Sequence, residues 1–424
     1  MKPFTRTSIA LGALLSVLTL AAPAGAAILG AGRHDLLVLR MGDGFNASLV
    51  AMPAGSELPF HSLPLGLFDR SGRTLYFATP QNDGSIVEAI DAASGRTLRS
   101  LTVSGYFSTM NGDYSAAALT GSVWGGRASQ QAPYHAAPHA GVPAPARHAP
   151  RGGIPIDPSE TLSALSFNGR WLALRDATPG AADTSIIVID TAAMRVVGTL
   201  HLSGRFGLDA IDATGTLLYL IQYLPSRGPQ AYEVRLYNLH ADKLDPRPVL
   251  EKGEVPGSMH GVGWTRTWSP DGQWLLTLYV QANGAAFVHA LGVETRQVHC
   301  IDLPYVRATA AIASHYTLSV SPDGRALYAV NPMLGRAVAV RDGLPLGAVQ
   351  PATLPVRATN PQRTLTGAAI SRDAATLYVA TYHGVWAIDT RTLAVRATFA
   401  PGKEIDSVAL SRDGQRLYAL EPEQ

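Results

Sequence analysis

A turn-bearing unit recurs along this chain and restricts its fold more than any other feature. It reads SFNGRWLALR (166–175), DATGTLLYLI (212–221), SPDGQWLLTL (269–278), SPDGRALYAV (321–330), SRDAATLYVA (371–380) and SRDGQRLYAL (411–420), and FDRSGRTLYFAT (68–79) follows the same pattern. From residue 166 onward, successive starts lie 40–57 residues apart. A repeat of that period signals stacked supersecondary units, none of which can bury its apolar face alone.

Each unit has the same internal logic. In SPDG, Pro suits the first turn corner, Asp the second, and Gly the position where a positive φ is wanted. An apolar strand such as YTLSVS (316–321) precedes the turn, and one such as ALYAVN (326–331) follows it. Two further strands and a polar turn complete the unit, most clearly in GVWAIDTRTLAVRATF (384–399). Near-continuous apolar strands call for burial on both faces. Four short strands per unit, repeated, predict an all-β fold of the β-propeller type.

The halves of the units can be counted. Seven turn-bearing first halves begin near 68, 166, 212, 269, 321, 371 and 411. Second halves follow at 86–103, 186–202, 234–250, 288–303, 338–354 and 385–399, one fewer. LLVLRMGDGFNASLVAM (36–52) is a second half with no first half before it, and 411–420 is a first half with no second after it. Pairing them predicts seven four-stranded blades in a ring closed by N-terminal strands, which removes the open sheet edge. Residues 104–160 interrupt the period, and 125–153 are rich in Pro, Ala, Gly and His, with too little apolar surface to offset ordering. They predict a mobile insertion in a single propeller domain spanning 27–424.

These residues resemble the YVTN-type repeat family of bacterial exported propellers. Its marks are an SPDG turn, a Val/Leu-Tyr-Val strand and an Ile-Asp-Thr strand end, matched best by 321–331 and 371–398. The resemblance covers about 36–103 and 160–420 and concerns turn and core positions. VRLYNLHADKLDPRPVL (234–250) lacks the Ile-Asp-Thr end, and Phe167-Asn168-Gly169 replaces Pro-Asp-Gly. The resemblance also implies a lactonase-type hydrolase as an alternative activity.

The chain opens with Lys2 and Arg6, an apolar run over 9–22, and Ala24-Gly25-Ala26, the pattern of a signal peptide cleaved after Ala26. The expected product is secreted, periplasmic or on a bacterial cell surface, with no membrane span after cleavage. Without Lys2 and Arg6 the 34 basic residues become 32, equal to the 32 acidic ones. That balance excludes a nucleic-acid partner, which needs a basic excess to neutralise phosphates. Cys300, the only cysteine, cannot form an intramolecular disulfide and reads as a buried structural thiol.

Propeller ligands are expected where the joins between blades enter the innermost strands. Counting back from each turn places His61, Asp157 and Glu160, Arg205, His260, His315, Arg363, and Lys403 with Glu404 in those joins. Together they predict a polar funnel for an anionic or polar small ligand or a protein partner. Exposed polar joins without a ligand are the competing reading. No HExxH, GxSxG, P-loop or haem-attachment motif occurs, and Asp323, Asp373 and Asp413 are accounted for by their turns. His135, His139 and His148 match no metal motif, so neither metal nor cofactor is expected. The leading reading is a non-catalytic binding or scaffold protein. A lactonase-type hydrolase would use His260 or His315 as base beside Arg205 or Arg363. A subunit that docks an electron-transfer partner is the third possibility.

Overall fold

The computed structural model describes residues 36–41, 47–49, 67–109, 161–355, 367–410 and 414–420, short breaks aside. The fold is all-β. β1 (Leu36–Met41) and β2 (Ala47–Leu49) precede the sheet of β3 (Leu67–Phe68), β4 (Thr74–Gln81), β5 (Gly84–Asp91) and β6 (Thr97–Val103). The next sheet holds β7 (Ser163–Leu165), β8 (Trp171–Arg175), β9 (Thr184–Asp190) and β10 (Arg195–Leu202). Then come β11 (Phe206–Ile211), β12 (Leu217–Tyr223), β13 (Ala231–Asn238), β14 (Lys243–Leu244) and β15 (Met259–His260). β16 (Val262–Trp268), β17 (Trp274–Val280), β18 (Ala286–Gly292) and β19 (Gln297–Asp302) follow, and a four-residue helix α1 (Ala310–Ala313) leads into the next sheet. That sheet comprises β20 (Thr317–Val320), β21 (Leu327–Asn331), β22 (Arg336–Arg341) and β23 (Ala348–Thr353). The last strands are β24 (Ala368–Ile370), β25 (Thr376–Thr381), β26 (Gly384–Asp389), β27 (Val395–Phe399), β28 (Ser407–Leu410) and β29 (Arg416–Leu420).

Among the described residues these strands form antiparallel meanders, six of four strands and one of five. One of the four-stranded sheets has the order β2-β1-β29-β28, with Leu36 opposite Leu420 and Arg40 opposite Arg416. The orphan halves of the sequence therefore pair with each other.

The turns explain why the repeat has its spelling. Ser321 Oγ donates to Asp323 Oδ1 at 2.5 Å, the Arg325 amide donates to that same oxygen, and the Ala326 amide donates to Ser321 Oγ. Ser269 with Asp271 and Ser371 with Asp373 repeat the arrangement. Asn168 does the same with Ser166, which explains why FNG can replace PDG. The Ile-Asp-Thr strand end has a similar basis. Asp190 Oδ1 accepts from the Ala192 and Ala193 amides, and Asp389 Oδ1 accepts from Thr392. Thr191 and Thr390 donate their hydroxyls to Gly169 O and Ala374 O in the preceding turn, tying the two turns of each sheet together. Asn238 accepts from His240 and Ala241, so the sheet without Ile-Asp-Thr keeps half of the device.

Burial follows strand position. β25 and β18 are buried at every residue, whereas the outer strand β10 alternates between exposed and covered positions. Successive sheets pack face to face. Six apolar clusters each join two neighbouring sheets, from the β3–β6 and β7–β10 pair through to the β24–β27 and β28–β29 pair. Burying one Leu, Ile or Val side chain in such a cluster contributes about 1.5–3 kcal/mol. First strands also adjoin: β7 lies beside β11, β16 beside β20, β20 beside β24 and β24 beside β28. Face-to-face sheets with first strands together are the arrangement of a β-propeller.

The start of the 104–160 segment docks on this stack. Phe107 is buried in the cluster between the first two sheets, bridges to Asp176, and donates its amide to Ser85 Oγ. The Pro- and His-rich stretch beyond it, with His135, His139 and His148, lies outside the described residues, as does the signal segment.

Candidate functional site

The first strands of the third and fourth sheets differ from the rest. β-bulges in the outer strands fall at Leu98, Val197 and Arg396, just after the turn. β11 and β16 instead carry bulges inside the first strand, at Asp209 and Trp264. A bulge leaves its extra residue out of the ladder and re-aims its side chain. Both of these side chains are buried.

Polar groups collect around the bulge at Asp209. Arg266 of β16 donates Nη1 to Asp209 O at 3.0 Å and Nη2 to Thr161 Oγ1 at 3.1 Å. The Leu208 amide donates to Thr161 O, which ties the β7 approach to β11. Gly207 allows a close approach: a Cβ there would lie 2.6 Å from Tyr223 Oη. The Arg205 guanidinium stands 5.9 Å from the centre of the Tyr223 ring. Behind this wall Tyr232 stacks on Tyr279 at 4.9 Å, and Tyr279 on Phe287 at 5.4 Å. Burial holds the Tyr232 and Tyr279 hydroxyls well above the ordinary tyrosine range, with Asp209 contributing, so both are neutral. The result is a guanidinium-bearing polar wall on a rigid aromatic backing. It suits recognition of an anionic or hydrogen-bonding group.

The residues expected in the joins have separate environments. Arg205 is exposed at the start of β11, beside this wall. His315 is fully buried, just after α1 and before β20. His260 lies on β15, which pairs with the start of β13, in the connection that leads into the first strand β16. The reason is an interrupted fourth strand: β14 pairs with one end of β13, Val249 bridges to Val234, and β15 pairs with the other end. The chain then enters β16 through Gly261 alone, at φ 140°. The His260 ring is held over its own turn by Ser258 O at 2.7 Å. Lys403 and Glu404 are exposed ahead of β28. His61, Asp157, Glu160 and Arg363 lie outside the described residues.

Asp209, Arg266 and Thr161 are not among the residues that the repeat places in the joins. Arg266 sits in VGWTRTW, where the repeat calls for a small or apolar residue, and Asp209 sits in FGLDAI; a charge inside a first strand was the available signal. Cys300, expected as a buried structural thiol, is half-buried and stands beside two carboxylates. Glu251, Glu254 and Cys300 each offer a ligand atom within 4.8 Å of the others. Burial, then Glu254 and Glu251, push the thiol up to about 12, so Cys300 is no thiolate nucleophile at neutral pH.

No protein-family model matches this chain, and no curated protein matches it. Solved structures do. Hydrazine synthase of Kuenenia stuttgartiensis is similar at TM-score 0.44 and 14% identity, over 87% of this chain and 96% of that one. The Cps50 (Swd1) β-propeller domain of Myceliophteria thermophila gives 0.42 and 10%, over 84% and 96%. Oligogalacturonate lyase of Vibrio parahaemolyticus gives 0.43 and 9%, over 88% and 80%.

Proposed function

We propose that this chain is an exported seven-bladed β-propeller of the YVTN type that acts as a binding or scaffold protein. Its ring is closed where β1 and β2 complete the blade of β28 and β29. Its ligand, a small anionic or polar molecule or an acidic protein segment, is taken at the loop face near the axis. What supports the binding reading is the wall of Arg266, Asp209 and Thr161, set by bulges in two first strands with Arg205 at its rim. First strands face the axis in a propeller, so polar groups there lie where the stacked sheets leave an opening. The equal count of acidic and basic residues after the signal argues for a local, shaped site over a broad charged surface.

The test uses the mature protein and a panel of small carboxylates, phosphates and sugar acids. At least one class should raise the melting temperature. Replacing Arg205 and Arg363 together by Ala should remove that rise, and Arg205→Ala alone should leave the ligand-free melting temperature within about 1 °C, because Arg205 is exposed and such positions contribute little to stability. A double variant that responds like the parent would reject the site.

A further inference from the structure

β19 is the outer edge of its sheet, so its outward amides have no partner strand. At Cys300 that role falls to a carboxylate: the Cys300 amide donates to Glu251 Oε2 at 3.0 Å. Glu251 belongs to the segment that crosses from the third sheet to the fourth, and it turns back on itself. Its own amide donates to Glu254 Oε2 at 3.1 Å. The other oxygen of Glu254 accepts from the Cys300 thiol, with Sγ 3.8 Å away. The other oxygen of Glu251 lies 3.3 Å from His299 Nδ1. Asp302 adds a third acid to the field around the sulfur.

His289 stands directly opposite Cys300 across β18 and β19, so the two side chains share a face. Its Nδ1 points at the sulfur from 4.0 Å. Its Nε2 is buried with no hydrogen-bond partner, and the residue has no exposed surface. Pinning a turn to an edge strand needs neither a sulfur nor a buried imidazole. Cys, His and Glu are, however, the side chains that zinc takes as ligands. Around a tetrahedral ion with bonds of about 2.0–2.3 Å, ligand atoms lie roughly 3.3–3.6 Å apart. The ligand atoms of Glu251, Glu254 and Cys300 lie within 4.8 Å of one another, with Glu254 3.8 Å from the sulfur, so side-chain adjustment of about an ångström would close them on an ion.

We propose that Cys300, Glu254 and Glu251 form a site for one divalent cation of the zinc class, with the buried His289 imidazole beside the sulfur. On binding, the Cys300 S–H bond breaks heterolytically, the sulfur lone pair forms the bond to the metal, and the proton passes to solvent. No electron is transferred. Two carboxylates then face a cation where they otherwise face a neutral thiol. The ion joins the 251–254 turn of one sheet to the edge of the next, a structural role in which binding free energy adds to folding.

The sole cysteine makes the test specific. Chelator-treated mature protein is titrated with Co2+ and followed by absorbance. One equivalent should produce a thiolate-to-cobalt charge-transfer band that Zn2+ abolishes, and Zn2+ should raise the melting temperature. Histidines elsewhere, including His135, His139 and His148, cannot generate that band. Cys300→Ser should lose the band and the Zn2+-dependent rise. Glu254→Gln, at a half-exposed position that tolerates the isostere, should weaken Co2+ binding about tenfold or more while keeping the fold. Absence of the band in the folded parent at saturating Co2+ overturns the proposal. So does a Zn2+-dependent rise that survives in Cys300→Ser, or unchanged Co2+ affinity in Glu254→Gln.

Discussion

The sheets of β20–β27 and those of β11–β19 are built on one plan and differ in what they leave unsatisfied. In β20–β27 the repeat is faithful. Ser321 with Asp323, Ser371 with Asp373, and Asp389 with Thr392 settle their polar groups within a few residues, and the cluster between these sheets is apolar. Among the described residues, β20–β27 hold no buried side-chain polar atom lacking a partner. In β13–β18, Arg235 Nε, Trp264 Nε1, Thr277 Oγ1 and His289 Nε2 are all such atoms. Each costs on the order of 1–3 kcal/mol relative to a satisfied or apolar alternative. A repeat array holds spare stability in its faithful units, and these four departures lie in one pair of neighbours, which is where both candidate sites lie. The difference therefore separates residues that make the fold from residues kept at some expense to it.

The comparison depends on the sheets sharing one continuous stack, so the largest expected effect comes from opening it. Deleting residues 27–52 removes β1 and β2 and leaves β29 with an unpaired edge. Loss of the β1–β29 pairing should cost an amount comparable with the roughly 5–15 kcal/mol that stabilises a domain, with aggregation through the free edge. Circular dichroism melts and size-exclusion profiles of the truncated protein check this. A truncated chain that melts like the parent would mean that the sheets are stable without closure.

What could be read from the sequence divides along the same line. The turn units, the second halves and the partnership of 36–52 with 411–420 were legible because their signals are local and periodic. Asp323 could be assigned to its turn from SPDG alone, since its hydrogen bonds stay within a few residues. Cys300 could not be assigned to a cluster. Its neighbours come from a turn 46–49 residues earlier and from the facing strand, and only strand register brings Glu251, His289 and Cys300 together. His260 shows the same limit from the other side. Counting back puts it ahead of β16, but its pairing with Ala231 comes from the interrupted fourth strand β14–β15, which no count reveals. The bulges at Asp209 and Trp264 are likewise properties of pairing, with no local sign in FGLDAI or VGWTRTW beyond a misplaced charge and an extra Trp.

A middle-sized effect sharpens the contrast through pH. Burial pushes the His289 imidazole down to about 4, below its ordinary 6.5. Between those values the unfolded chain takes up a proton that the folded chain refuses. The stability associated with a neutral His289 is therefore fully present above about 6.5, is lost progressively as pH falls, and levels off below about 4. The total loss is on the order of 3 kcal/mol. Chemical denaturation at a series of pH values, in the presence of chelator, should show that decline. His289→Leu should flatten it and, without metal, should be at least as stable as the parent at pH 7, because it removes a buried polar atom that has no partner. A decline of unchanged depth in His289→Leu would assign the pH dependence to another group and weaken the division between the two regions.

The smallest effect belongs to the faithful turns. Asp323→Ala removes the acceptor for the Ser321 hydroxyl and the Arg325 amide and should cost about 1 kcal/mol, because the turn lies at the surface and water can replace part of the loss. Asp323→Asn should cost much less at pH 7, since Asn168 makes the same contacts with Ser166 and Arg170 in this very chain. The two substitutions part company in acid. The hydrogen bond from Ser321, then that from the Arg325 amide, hold the Asp323 carboxyl below its ordinary range. Its stabilisation is present above the ordinary carboxylate pKa and is lost as pH falls through the lowered folded value. An Asn in its place has no proton to gain, so the variant should lose less stability than the parent below about pH 4. Neither substitution should alter the Co2+ spectrum or the response to carboxylates. If Asp323→Asn changed either, turn and site would be coupled through the sheet, and the separation of fold-making from fold-taxing residues would have to be redrawn at that blade.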